Sequence, residues 1–213
     1  MIAGSKQKYF KYIILTTGIV LATGFLFLRF FQLEADFPLG ITWSGTLFTD
    51  EGWYANAAVR HYKYSDWYLA GDFNPIINMP VGQLLFRPAF SAWGLGFASG
   101  RCVAAGLFIG ISFMVARLVF KRFGTTSAIL VLLLLATNYI SFAYSRLMLL
   151  EFPALFFVVS GIFILGVDEH KSNIGKLLLG SFCVGLGILT KTSMIFIVPV
   201  FACLLYTSPS PRD

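Results

Sequence analysis

The chain contains several apolar runs that each approach the length needed to cross a lipid bilayer. The first covers residues 12–31, and 57% of all 213 residues are hydrophobic whereas 12% are charged. A water-soluble fold of this length has too little interior to hide so much apolar surface, and about 20 apolar residues span the hydrocarbon core. The pattern therefore predicts an all-α, polytopic bundle of transmembrane helices.

Clusters of basic residues separate these runs. Three lysines precede the first run, and further clusters lie at Lys121-Arg122 and around His170-Lys171. Because basic loops stay on the cytoplasmic side, we expect a multi-pass cell-membrane protein with a cytoplasmic N-terminus. Arg29 is expected to extend to the far interface. The other five spans are predicted at 101–120, 126–144, 152–167, 174–189 and 192–205. The clusters also account for the net charge of +6, so no nucleic-acid partner is predicted.

Residues 32–100 form the first outer loop in this topology. Residues 51–64 lack proline and contain three alanines, which favours a short helix at the membrane surface. Residues 80–95 are moderately apolar but contain Gln83, Arg87 and Pro88. The three basic clusters share one side only if this segment does not cross, so we predict a second interfacial helix. The polar, proline-rich residues 206–213 are expected to be a truncated or non-native tail.

Five ionisable residues converge on the outer side of this topology. Asp50 and Glu51 lie in the first outer loop, Arg146 and Glu151 in the connection between the third and fourth spans, and Lys191 between the last two. Ionisable groups at a membrane are costly and indicate function by default. Carboxylates suit a general base or a hard divalent cation, and arginine and lysine suit a phosphate.

Each of these residues also has a structural interpretation. Asp50 is a suitable helix N-cap, and Glu51 suits the positive end of a helix. Arg146 and Glu151 would make a local ion pair, and Lys191 would extend to the interface beside its span. Their convergence on one membrane face favours the functional interpretation, since separate structural causes would have to agree by chance.

Ordered landmarks along the chain resemble the N-terminal module of the GT-C membrane glycosyltransferases. The branch that they match is that of the protein O-mannosyltransferases and lipid A aminoarabinose transferases, of the glycosyltransferase family 39 type. The resemblance covers roughly residues 12–202. It is carried by Thr49-Asp50-Glu51-Gly-Trp-Tyr-Ala, Asn78-Met-Pro80, Trp93-Gly-Leu-Gly96, Arg101, Tyr144-Ser-Arg146 through Glu151-Phe-Pro153, and Gly185-Leu-Gly-Ile-Leu-Thr-Lys191.

The resemblance implies a GT-C-like module of which residues 1–205 are the N-terminal part, expected to be inactive alone. It implies transfer of a sugar from a polyprenyl phosphate to a hydroxyl of a lipid, glycan or protein at the outer or lumenal membrane face. Asp50, Glu51 and Glu151 would be catalytic, Arg146 and Lys191 would bind the phosphate, and Asp50 and Glu151 are candidate ligands for Mg²⁺ or Mn²⁺. No other cofactor is implied.

Two other functions remain open from the sequence. A transporter or flippase would use the outer carboxylates to bind a cation or a sugar without chemistry. Against it, Asp50 and Glu51 lie in a loop, and no pair of broken helices marks a site at the membrane centre. A non-catalytic partner subunit would place no functional demand on the carboxylates.

Overall fold

The protein is mainly helical in the part of the chain that the structure describes. This computed structural model describes residues 2–35, 46–166 and 174–207, in which no β-strand occurs. The predicted all-α class is therefore confirmed. The helices are α1 (Ile2–Phe27), α2 (Thr46–Tyr64), α3 (Pro75–Asn78), α4 (Pro80–Trp93), α5 (Phe97–Thr137), α6 (Tyr139–Ser145), α7 (Glu151–Gly166), α8 (Ile174–Thr190) and α9 (Ile197–Thr207), with 3-10 turns at Leu28–Phe30, Leu33–Ala35 and Thr192–Phe196.

Two helical stretches are long and apolar enough to cross a membrane, namely Tyr12–Phe30 and α5. The helices α7 and α8 are apolar but shorter. The long helix α5 contains the predicted span 101–120 and most of the span 126–144, divided at Gly124, whose φ of 79° lies outside the helical region. These helices fit a helical membrane bundle, and the six-span topology stays a prediction.

The helix α2 begins earlier than the sequence pattern predicts. The expected bounds were 51–64, whereas the helix starts at Thr46. Asp50 therefore lies in the second turn, and the interpretation of Asp50 as an N-cap is wrong. The helix predicted at 80–95 is α4, Pro80–Trp93, and its position at the membrane interface stays a prediction. Proline suits the first helical turn because its missing N–H has no partner there in any case.

Small residues on α2 allow α4 to pack closely against it. Ala55 and Ala58 are fully buried in a cluster with Phe86 and Phe90 of α4. Between the two helices lies the buried amide of Gln83. Its Oε1 accepts a hydrogen bond from Ala58 N at 3.1 Å, and its Nε2 donates to the carbonyl oxygen of Tyr54. In a regular α-helix, Ala58 N would donate to the carbonyl oxygen of Tyr54, four residues earlier. Gln83 bonds to both of these groups and so holds this turn of α2 against α4.

Arg29 does not reach the interface, which corrects the expectation from the sequence. Its side chain is fully buried. The guanidinium donates to Ser145 Oγ at 2.9 Å, to the carbonyl oxygen of Phe25 at 2.9 Å and to that of Leu135 at 3.0 Å. It also lies 4.4 Å from the ring centroid of Phe108. A charge inside a bundle is tolerated when its donors are satisfied, so Arg29 joins α1, α5 and α6.

Close packing of α7 on α8 at Gly161 gives a prediction about stability. A Cβ at Gly161 would lie 2.7 Å from the carbonyl oxygen of Gly180 and 2.9 Å from Val184 Cγ2. We expect Gly161→Ala to lower the free energy of unfolding in mixed micelles by about 1–3 kcal/mol, because the two helices must separate. The control is Gly185→Ala on α8, where a Cβ meets nothing within 4 Å. An equal loss in both variants would contradict the packing argument.

Candidate active site

The five predicted site residues are brought to one end of the helical bundle. Met148, in the connection before α7, donates its backbone N–H to Glu51 Oε1 on α2 at 2.6 Å. Lys191 follows the end of α8 and bonds to Glu151, the first residue of α7. The helix α7 therefore begins one residue before the predicted start of the fourth span at residue 152, and its crossing of a membrane stays a prediction. Glu51 in the second turn of α2 thus meets Met148, in the connection before α7, across 97 positions of the chain.

Glu51 is the most deeply buried acid at this end, with 1% of its surface exposed. Arg101, near the start of α5, donates Nε to Glu51 Oε1 at 2.8 Å and Nη2 to Oε2 at 2.6 Å. With Met148 N, three donors surround the carboxylate. A buried bidentate ion pair of this kind has favourable hydrogen-bond geometry, and it engages both oxygens of the Glu51 carboxylate away from solvent. Glu51 thereby fixes α2 to α5, while its predicted catalytic role stays a prediction.

Asp50 differs from its neighbour in every respect that matters for chemistry. It is exposed, and within the described residues its carboxylate makes no hydrogen bond or ion pair. Its position is nevertheless determined, because the next residue is anchored by Arg101. A carboxylate that is held in place by the backbone but free at its oxygens is suited to accept a proton.

Lys191 and Glu151 form the second half of the site. Lys191 Nζ bonds to Glu151 Oε1 and lies 5.1 Å from the ring centroid of Tyr54. The Lys191 side chain is 17% exposed, so it turns inward and is not the interfacial flank of the alternative interpretation. Burial lowers the pKa of Lys191, but Glu151 and Tyr54 outweigh it and hold the pKa above its usual value. The ammonium therefore stays charged at neutral pH.

One oxygen of Glu151 is without a partner. The Glu151 side chain as a whole is 44% exposed, yet its Oε2 is buried and accepts no hydrogen bond within the part of the chain that the structure describes. The exposure belongs to other atoms of the side chain. A buried acceptor without a donor is costly, and it is suited to receive a hydroxyl from a bound molecule.

Arg146 is placed differently from the expectation. It is buried, and it donates to the carbonyl oxygens of Leu28 at 2.8 Å, Phe31 at 2.7 Å and Gln32 at 3.3 Å. These oxygens lie at and just beyond the end of α1, where carbonyl groups lack partners within the helix. The local ion pair considered for Arg146 is not formed, since Glu151 bonds to Lys191. The phosphate-binding role of Arg146 stays a prediction.

Two residues that the sequence analysis did not assign belong to this constellation. Arg101 was predicted to start a span and was one landmark of the resemblance, but it was given no role in the site, although an arginine at the edge of an apolar run is itself a signal. Tyr54 was given no role from the sequence, and the centroid of its ring lies 5.1 Å from Lys191 Nζ. The spacing of Asp50 and Tyr54, four residues on a helix, was a usable signal because such residues share one face.

The donor set at this end does not fit a closed metal site. Among the described residues, no group of three or more histidine, cysteine, aspartate or glutamate side chains is arranged to hold an ion. Magnesium requires octahedral oxygen coordination, and Glu151 Oε1 is already bonded to the ammonium of Lys191. Coordination by Asp50 and Glu151 stays a prediction from the sequence, and no chemical step is derived through a metal.

A surface cavity lies elsewhere at this end of the molecule. It has a volume of about 250 Å³ and contains none of the five predicted site residues. Its walls come from Glu34, Trp93, Gly94, Leu95, Gly96, Ala98, Ser99 and Cys102. The contacts described above, and not this cavity, therefore define the candidate active site.

The helical fold, which fits a membrane bundle, and the paired carboxylates and cations at one end of it agree with the expected class, a GT-C-type membrane glycosyltransferase. The family model described as dolichyl-phosphate-mannose-protein mannosyltransferase matches residues 79–212, which is more than half of the chain, and the chain belongs to that family. The matched region contains Arg101, Arg146, Glu151 and Lys191, and it begins after α2. No match was found among curated proteins or among solved structures.

Proposed function

We propose that the protein transfers a sugar from a polyprenyl-phosphate donor to an acceptor hydroxyl at the outer or lumenal membrane face. Family membership supports the glycosyltransferase class. The observation that carries the finer assignment is the combination of an exposed, unbonded Asp50 with a charged Lys191 that is bonded to a second carboxylate. Asp50 would accept a proton, and Lys191 would stabilise the negative charge of the departing phosphate. The donor, the acceptor and the lipid bilayer are the partners of this proposal.

The reaction proceeds as one displacement. Asp50 takes the proton of the acceptor hydroxyl as the acceptor oxygen bonds to the anomeric carbon. The bond between that carbon and the phosphate oxygen breaks, and its electron pair leaves with the polyprenyl phosphate. Lys191 stabilises the negative charge that develops on the phosphate. A single displacement inverts the configuration at the anomeric carbon.

Glu151 contributes to this reaction in two ways. Its Oε1 accepts a hydrogen bond from the ammonium of Lys191. Its buried Oε2 can accept a hydrogen bond from a hydroxyl of the bound sugar or acceptor. Glu51 positions Asp50 through Arg101. Arg146 supports the same end of the bundle through α1, and direct contact between Arg146 and the phosphate is the further role that the sequence predicts for it.

The test separates chemistry from transport. The full-length protein is reconstituted in vesicles that contain polyprenyl-phosphate mannose labelled in the sugar, together with a soluble hydroxyl acceptor. We expect free polyprenyl phosphate and a mannosylated acceptor of inverted anomeric configuration. Movement of intact donor between leaflets, with no cleavage of the bond between sugar and phosphate, would favour the flippase instead.

A further inference from the structure

Tyr54 occupies a position between the two halves of the candidate active site. It follows Asp50 by four residues on α2, a rise of about 6 Å along the helix axis, and therefore lies on the same face. Its carbonyl oxygen accepts a hydrogen bond from Gln83 Nε2, and its ring lies 5.1 Å from Lys191 Nζ. The backbone of Tyr54 thus contacts α4, and its ring contacts Lys191.

Lys191 needs such a neighbour to keep one position. Its ammonium is a point charge on a flexible four-carbon stem, and a single bond to Glu151 Oε1 leaves it free to rotate about that oxygen. An aromatic ring within about 6 Å attracts a cation to its face. The phenol also favours the charged form, and it contributes to the raised pKa of Lys191.

We propose that Tyr54 is a positioning residue that sets where the ammonium of Lys191 lies relative to Asp50. The inference rests on the proposed function, because it assigns Lys191 to the donor phosphate. In a displacement, the acceptor oxygen and the phosphate lie on opposite sides of the anomeric carbon, with the reacting atoms about 3–3.5 Å apart. Asp50 and Tyr54 on one helix turn keep the base and the phosphate-binding cation at a fixed separation.

The anchoring of α2 makes this arrangement rigid. The first turns of α2 are held by Glu51 on Arg101, and the turn at Tyr54 is held by Gln83 of α4. Both anchors are buried. The helix α2 therefore carries the base, Asp50, and also positions the cation, Lys191, through Tyr54, although Lys191 follows α8.

The experiment measures how strongly the full-length protein in nanodiscs prefers undecaprenyl phosphate to undecaprenol, its neutral counterpart. We expect Lys191→Met to abolish most of this preference. Tyr54→Leu, which removes the ring, is expected to reduce the preference about tenfold, and Tyr54→Phe, which keeps the ring, about threefold. Tyr64→Phe on the same helix, at a side chain that is 74% exposed, is expected to change nothing.

Coupling between the two residues is tested in the same assay. Since Tyr54 acts through Lys191, Tyr54→Leu should cause no further loss in the Lys191→Met background. A preference that is unchanged in both Tyr54 variants, with the loss in Lys191→Met intact, would overturn this inference and leave the proposed function standing. A full preference in Lys191→Met would overturn the phosphate role of Lys191 and this inference with it. Tyr54→Phe conserves the bulk of the side chain, so misfolding of Tyr54→Leu does not prevent the test.

Discussion

Asp50→Asn is expected to lower the rate of sugar transfer by about 10²- to 10⁴-fold, the usual contribution of a general base. The amide keeps the shape of the side chain but does not take up a proton. Because Asp50 is exposed and makes no hydrogen bond or ion pair to another described residue, the free energy of unfolding is expected to change by less than about 0.5 kcal/mol. The rate of transfer from polyprenyl-phosphate mannose and the unfolding transition are measured on the same preparation.

The matched control is Asp66→Asn in the same polypeptide segment. Asp66 is also exposed, and its Oδ1 accepts a hydrogen bond only from the nearby Tyr68 N, among the described residues. We expect this variant to transfer sugar at the wild-type rate. Wild-type transfer by Asp50→Asn would show that another group accepts the proton, and the assignment of Asp50 would then be wrong.

Glu51→Gln is expected to act on stability as well as on activity. It removes the charge of the carboxylate that Arg101 contacts through Nε and Nη2, and breaking a buried ion pair costs about 3–5 kcal/mol. The expected result is a loss of that size in the free energy of unfolding in mixed micelles, accompanied by loss of transfer. Arg101→Met should produce a similar loss, since it leaves the Glu51 carboxylate buried and unpaired by Nε and Nη2.

An ion pair whose carboxylate is half exposed provides the comparison for Glu51. Arg60 Nη2 lies 3.4 Å from Asp72 Oδ2, and the Asp72 side chain is 50% exposed. Asp72→Asn is therefore expected to cost at most about 1 kcal/mol. A Glu51→Gln protein that unfolds like the wild type but transfers no sugar would contradict the anchoring role and favour direct participation of Glu51 in the chemistry.

The extent of the helices follows from local patterns in the sequence. The helix α4 begins at Pro80, as predicted, and α7 begins at Glu151, one residue before the predicted start of its apolar pattern. Hydropathy and proline placement act over a few neighbouring residues, so they are visible in the chain itself. The start of α2 was less visible, because residues 46–50 contain no strong apolar periodicity.

The difference between the exposed Asp50 and the buried, ion-paired Glu51 could not be predicted from the sequence. The two acids are adjacent and chemically alike, and they differ only in what tertiary packing places beside them. Arg101 is 50 residues from Glu51, and Lys191 is 40 residues from Glu151. Pairings over such separations depend on how the helices pack against one another. The spacing of residues within one helix does not determine that packing. The contact of Tyr54 with Lys191 was hidden for the same reason.

The burial of Arg29 has a consequence for how the protein is inserted into the membrane. Of its three hydrogen-bond acceptors, only Phe25 lies on α1, while Leu135 and Ser145 are synthesised more than 100 residues later. Until then Arg29, in the 3-10 turn that follows α1, has only the first of these acceptors, and an arginine in that state is costly in lipid. Stable release of α1 into the bilayer is therefore expected to wait for the second half of α5 and for α6, although α1 precedes both in the chain.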